Sequence, residues 1–489
     1  MVGLSTDEKP TGLENASSFV ELDTGKTYIY DAENTEWVEQ PTHGGGGGGG
    51  GESSGNSVRF IDYDGTVVNS YSRDDFLALS EMPANPEHEG LVAQGWNWSF
   101  ENAQAYMTKY PEAILTIGQM YTTDNGDTRL YIYIDPDTPA NRMTFYVRFQ
   151  SSVANNVTID WGDGTVETVG STTATNYPHT YASTGDFVIK LTVNSGTILF
   201  TGSAYNSIFG STSNPYSANR GRIRKIEIGD NVTNIGDSAV LYCYLLASIT
   251  IPKTATIGSN TFAQCRSLTS VTVPKGVTSI GSSTLSLCRS LASIALPDSV
   301  TNIASTAFAE DYSLSYITIP EGVTTIGNNA FSTCHALMSI TIPEGVTSIG
   351  GSAFSNCSAL ASVTIPEGVM TINSSTFTYC DALMSITIPE GVTSIGSSAF
   401  SNCHSLTTVT IPESVTSIES SAFYGCYGLG EVHLRRTTPP TLSNSSAFSG
   451  NSSDRIFYVP YSEDHSVLEA YKTATNWSSY ANNMVEESA

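Results

Sequence analysis

Between Ile223 and Leu434 the apolar positions recur every 23 residues. The unit is plainest from Leu337 to Ala359. There Leu337-Met-Ser-Ile340-Thr-Ile342 alternates as a half-buried strand does, turning Ile340 and Ile342 inward and Ser339 and Thr341 outward. Pro343 ends the strand, because it has no N–H to give a ladder. Val346 and Ile349 return to the interior, and Ala353, Phe354 and Cys357 fill the opposite side. Cys265, Cys288, Cys334, Cys357, Cys380, Cys403 and Cys426 mark the period, with one gap of 46 in which Asp311 takes the missing place, and Cys243 begins the series one residue short. A fixed period of this length predicts a solenoid. Each large apolar side chain is worth about 1.5–3 kcal/mol when buried. Ordering the backbone of one repeat costs more, at ~1–2 kcal/mol per residue, so only a stack of repeats folds. About nine strands at ~4.8 Å predict a rod or shallow arc.

Upstream the pattern changes several times. Residues 1–43 hold three short alternating runs, Phe19–Asp23, Lys26–Asp31 and Trp37–Gln40, with Thr24-Gly25 as a turn. They are too few for a separate core, which points to an attachment module. Residues 44–56 open with eight consecutive glycines, Gly44 to Gly51, and no Lys-Ser or Lys-Thr follows, so this reads as a flexible linker. Residues 57–142 predict a small α+β domain: strands at Val58–Tyr63 and Val67–Tyr71, a helix over Phe100–Tyr110 capped by Ser99, and a hairpin about Asn125-Gly126. Residues 143–200 form a third unit, with alternating runs at Thr144–Phe149, Val157–Asp160 and Phe187–Val193 and a tight turn at Trp161-Gly-Asp-Gly. Residues 201–222 form a junction, 223–436 the solenoid and 437–489 its C-terminal cap.

Several of these stretches resemble known families. Ile-Pro-Glu-Gly-Val with Ala-Phe-x-x-Cys is similar to BspA-like leucine-rich repeats of bacterial and protist surface proteins, and Ile456-Phe-Tyr-Val-Pro with Asn476-Trp resembles that family's cap. Trp161-Gly-Asp-Gly followed by His179-Thr-Tyr resembles a PKD-type immunoglobulin-like domain. Asp64-Gly65 and the Pro83…Pro86…Gly90…Gly95-Trp96 run resemble internalin-type β-grasp repeats. The segment Leu4-Ser-Thr-Asp-Glu-Lys-Pro to Trp37 resembles N-terminal pieces of tailed-phage structural proteins. The fold class is therefore multidomain and mainly β: a small α+β domain, an Ig-like sandwich, and a leucine-rich-repeat solenoid with a C-terminal cap.

Composition narrows the partners. Of 489 residues 14% are charged, and 47 acids against 21 bases leave a net charge of −26, which argues against nucleic acid or an anionic membrane. No apolar run reaches the ~20 residues of a membrane span. All eight cysteines sit at one repeat position, the pattern of buried thiols and not of a disulfide framework or zinc site.

Candidate chemistry is sparse. Phe60-Ile-Asp62-Tyr-Asp64-Gly-Thr fits the first motif of haloacid-dehalogenase phosphatases, in which the first Asp is nucleophile and the second general acid. The doubly wound sheet such an enzyme needs is not predicted here, so the motif reads as a turn. No catalytic, cofactor or metal site is expected. The candidate ligand surface is the outward column Thr318, Thr341, Thr364, Thr387 and Thr410, the acidic stripe Glu321, Glu344, Glu367, Glu390 and Glu413, and His335 and His404 in the slot after each cysteine. Met1–Lys9 lacks the basic and apolar regions of a secretory leader. The expected function is a non-enzymatic phage virion or fibre protein, attached to a virion structural protein through residues 1–43 and binding a host surface protein or glycan through the repeats. The alternative is a bacterial cell-surface adhesin.

Overall fold

A computed structural model describes the backbone of Val2–Gly3, Ser18–Glu21, Thr27–Asp31 and Glu36–Glu39, together with residues 57–136, 143–200, 202, 206–211 and 220–488. The glycine run and the Thr24-Gly25 turn lie outside the described residues. The chain divides into two compact units, Met1–Gly55 and Asn56–Ala489. In the first, β1 (Val2–Gly3), β2 (Ser18–Glu21), β3 (Thr27–Asp31) and β4 (Glu36–Glu39) form one sheet in chain order. β2 and β3 pair antiparallel, Phe19 opposite Tyr28, as alternation over those runs predicts.

The second unit opens with an α+β module: β5 (Ser57–Ile61), β6 (Val67–Ser72), α1 (Arg73–Leu77), β7 (Leu91–Trp96), α2 (Phe100–Lys109) and β8 (Leu115–Thr123). The sheet order is β6-β5-β8-β7, with β5 and β8 parallel. Helix α2 starts where its cap predicts, the Ser99 hydroxyl accepting the Asn102 N–H at 3.2 Å. One face of the sheet packs Val58, Phe60, Leu115 and Ile117 against Phe76, Trp96, Tyr106 and Met107. Strand β8 is buried along its whole length. Its second face lies on the solenoid.

A two-sheet sandwich follows, of β9 (Thr128–Ile134), β10 (Thr144–Ser151), β11 (Val157–Asp160), β12 (Val166–Val169), β13 (Thr175–Thr180), β14 (Gly185–Val193) and β15 (Ile198–Phe200). One layer runs β12-β11-β14-β9 and the other β13-β10-β15. Between them lie Phe145, Phe149, Ile159, Trp161 and Leu191. The Tyr181 hydroxyl donates to the Trp161 carbonyl at 2.9 Å, and His179 stacks on Trp161 while pairing with Asp163 at 2.7 Å. Asn125-Gly126 is a turn, but not the tip of a hairpin. β8 and β9 belong to different sheets, and β9 pairs with β14 and with the first repeat strand, Ile223–Glu227. Both layers continue into the solenoid, because β15 also pairs with Val232–Ile235. The sandwich thus closes the first turn, and its core is continuous with that of the repeats.

Most repeats contribute to two parallel ladders, though the segment around Ile317–Ile319 contributes no strand to the first. The predicted one stacks Ser385–Thr387 on Thr408–Ile411 and Glu431–Leu434. A second, not anticipated from the pattern, stacks two-residue strands such as Ser348–Ile349 and Ser394–Ile395 on their neighbours. A third side is bonded through turns, where Ser352, Phe354 and Asn356 donate N–H groups to Ser374, Thr376 and Thr378 of the next repeat. Inside, Phe308, Phe331, Phe354, Phe377, Phe400, Phe423 and Phe448 stack at 5.1–5.5 Å. The cysteine column has a specific job. Its thiols are buried, and from Cys288 onward each donates to the main-chain carbonyl 26 residues upstream, as Cys357 does to Phe331 at 3.1 Å. Burial pushes the Cys357 thiol up to about 12, so it stays protonated. Phe377→Ala is expected to cost about 3–5 kcal/mol, since the ring is fully buried between two others. Hydrogen exchange should show the loss spreading from residues 354–400 in both directions, as each turn is supported only by its neighbours.

The far end is closed by strand Ile456–Val459, helix Ser466–Thr473, a 3-10 turn at Trp477–Asn483 and strand Met484–Glu486. Trp477 is buried against Phe448, Phe457 and Tyr471, its indole N–H donating to the Pro440 carbonyl at 2.7 Å.

Candidate binding surface

The outward column of the first ladder is a candidate surface, and the chain itself occupies half of it. Strand β8 and the segments around it lie across the early repeats. Asn97, fully buried, donates from Nδ2 to the carbonyls of Ala295 at 2.9 Å and Val273 at 3.3 Å. The Trp98 indole donates to Leu296 at 2.6 Å. Thr250, Thr272 and Thr318 are buried. Thr318 is therefore not a free ligand position: its hydroxyl donates to the Ile114 carbonyl and accepts the Thr116 N–H. Glu321 is likewise engaged, by Lys109 and by the Tyr110 hydroxyl at 2.5 Å. The hydrogen bond from Glu321 pushes the Lys109 ammonium up, a charge pairing at an exposed rim. Asp298, one repeat earlier in the stripe, takes Asn102 at 2.6 Å.

The Asp62–Thr66 turn also belongs to this contact. The Tyr63 and Asp64 carbonyls accept the hydroxyls of Ser270 and Thr269. Asp62 is buried and bonds His88 at 2.5 Å, and Asp64 accepts the Thr66 N–H. The phosphatase-like motif thus closes a turn seated on the repeats. Nearby, buried Glu227 receives Lys225 at 2.8 Å, the Tyr131 hydroxyl at 2.9 Å and Arg129 at 3.3 Å, while Arg129 also holds Asp124. Lys225 sits over the rings of Tyr63 and Tyr131, so one cluster ties the α+β module, the sandwich and the first repeat.

Beyond α2 the face opens. Thr341 is half-buried at the boundary, and Thr364, Thr387 and Thr410 are exposed and stacked in register. The column continues into His433 and Tyr458, whose rings stack at 4.7 Å; His433 also pairs with Glu487 at 2.9 Å. Alternation does not reveal these last members, because one lies past the repeat consensus and the other in the cap. Along one border Glu344, Glu367, Glu390 and Glu413 are exposed. The Glu344 N–H donates to the Tyr110 hydroxyl oxygen at 3.3 Å, whereas Glu367 and Glu390 carry no ion pair among the described residues. Along the other border Met338 and Met384 are 42% and 58% exposed. His335 and His404 are not on this face. They sit among the turns after the cysteines, His335 beside Tyr312 and His404 between Asp381 at 2.9 Å and a stacked Tyr427. Among the described residues no group of three metal-ligating side chains converges.

The architecture is that of a leucine-rich-repeat solenoid closed at both ends. Residues 214–338 and 301–430 match the BspA type leucine rich repeat region, in 6 copies, so this part of the chain carries BspA-type repeats. Solved structures with similarity include a leucine rich cell surface protein from Faecalibacterium prausnitzii, 28% identical over 51% of this chain and 87% of that one, with a TM-score of 0.27. A T. pallidum leucine rich repeat protein is 28% identical over 37% and 83%, with a TM-score of 0.31. The pneumococcal vaccine antigen PcpA is 18% identical over 54% and 88%, with a TM-score of 0.31. No curated protein sequence matches the chain.

Proposed function

We propose that this chain is a non-enzymatic binding protein of the adhesin type, which engages a host-surface ligand on the open face of its later repeats. The observation that carries the reading is the exposed, in-register ladder Thr364–Thr387–Thr410, bounded by the docked module at one end and by His433 and Tyr458 at the other. Residues 143–200 serve in this reading as an immunoglobulin-like end cap. Residues 1–43 attach the chain to a virion, a setting supported by the resemblance of that segment to tailed-phage structural proteins. The BspA-type repeats favour a second setting, the surface of a bacterial cell. Thr387→Arg, which places a long charged side chain in the middle of the open ladder, is expected to abolish binding to host cells without loss of folding. Undiminished binding would refute the face as the site. Mass spectrometry of purified virions decides the setting: the chain should be present, and its absence there with recovery from intact bacterial surfaces would select the second.

A further inference from the structure

Helix α2 lies on the same face whose later rungs are open, and it reads the acidic stripe in a definite way. Its Asn102 takes Asp298, its Lys109 takes Glu321, and Tyr110 at its end reaches both Glu321 and the main chain of Glu344. The stripe then continues through Glu367 and Glu390, which carry no ion pair among the described residues, to Glu413, whose main-chain carbonyl accepts Arg436 at 2.8 Å. We infer that these open rungs dock an amphipathic, lysine-bearing helix of a partner protein, laid along the solenoid as a continuation of α2. This rests on the adhesin reading and specifies its ligand.

Three features fit that occupant. The first is spacing: successive rungs are ~4.8 Å apart and three residues of helix rise ~4.5 Å, so in a helix parallel to the stack lysines three or four residues apart meet consecutive glutamates, a closer match than in α2, whose Asn102 and Lys109 reach consecutive stripe members from seven residues apart. The second is the cross-section of the face. Met384 stands on one border, Thr387 in the middle and Glu390 on the other, a strip wide enough for a helix about 10–12 Å across. An apolar helix edge would meet Met338 and Met384, whose flexible side chains adapt to varied surfaces, while the charged edge meets the glutamates. The third is charge: a chain of net −26 with an exposed acidic border favours a basic partner. The floor of small hydroxyl side chains lets a backbone approach closely, as β8 already does over Thr272 and Thr318.

The test uses the full chain and two synthetic peptides of identical composition. One is a helix with lysines at i, i+3 and i+7 and leucines on the adjacent edge; in the other the lysines are spread around all faces. Titration calorimetry in low salt should show the patterned peptide binding about tenfold or more tighter than the other. Glu367→Gln, Glu390→Gln and Glu413→Gln together should remove that preference, and Met384→Ser should weaken it. Equal binding of both peptides, or an unchanged preference in the triple variant, would overturn the inference. Natural host-surface binding that is lost in Thr387→Arg but intact in the triple variant would overturn it too, while leaving the open face as the site. A glycan that competes for that binding without displacing the peptide would have the same meaning.

Discussion

Replacing Asp311 with cysteine should raise stability at neutral pH by about 2–4 kcal/mol and flatten its dependence on pH. Asp311 stands where the other repeats place a thiol and is fully buried. One carboxyl oxygen accepts the Cys288 N–H at 2.8 Å, and the other has no partner. Burial pushes the acid well above the usual carboxylate range; the Cys288 N–H opposes this and the Glu310 charge adds to it. In the unfolded chain the group titrates near ~3.9. Between that value and the raised native one, the folded protein keeps a proton that the unfolded chain has lost. Stability therefore falls as pH rises through this window, by up to ~1.4 kcal/mol per unit. The contribution of Asp311 is fully present only below about pH 4. Urea midpoints at pH 4, 5.5 and 7 should show Asp311→Cys gaining on the native chain as pH rises. Asp311→Asn, which keeps an acceptor for Cys288, should flatten the profile as well. A gap that does not change with pH would refute a titrating Asp311.

The interior of the solenoid was legible because identical positions repeat. Ile340, Val346, Ile349, Phe354 and Cys357 are all buried as their spacing predicts. The second ladder was not, since strands of two residues such as Ser348–Ile349 leave no alternation to read. The hairpin signal at Asn125-Gly126 failed for a different reason. It reports the bend of the chain, while the partner of each arm is chosen by apolar faces far away; β9 is drawn into the sandwich and onto Ile223–Glu227. Least legible was the covering of the candidate face. The contacts that bury Thr318 link residues about 200 positions apart, through hydroxyls, amides and carbonyls that look like ordinary surface. Thr318 and Thr387 read alike in sequence, yet one is an internal contact and the other is exposed.

Gly118→Leu is expected to release the α+β module from the repeats while leaving the solenoid folded. Gly118 lies in β8 at the centre of the contact, joined to Asn97 by a reciprocal pair of hydrogen bonds at 2.9 Å. A Cβ there would stand 2.4 Å from the Thr272 hydroxyl and 2.7 Å from the Ala295 Cβ. The backbone at this glycine is not in the left-handed region, so the strand itself accepts a side chain, and the cost falls on the interface. Overpacking of this kind costs about 1–3 kcal/mol where neighbours yield, and more against a main chain fixed in a ladder. The uncovered surface would include Ser270 and Thr318, whose hydroxyls exchange protein partners for water, and Thr272, whose buried hydroxyl has no partner and would gain one, which is why the repeats should tolerate the loss. Hydrogen exchange should accelerate at residues 114–123 and 270–296 and stay unchanged across 354–434. Asp298 and Glu321 would also be freed from α2, so the patterned lysine helix should gain affinity. Gly430→Leu, at a site where the new Cβ meets nothing closer than 4.0 Å, is the control and should leave exchange at residues 114–123 and 270–296 unchanged. Full protection over 114–123 in Gly118→Leu would mean that the module is not held by this contact.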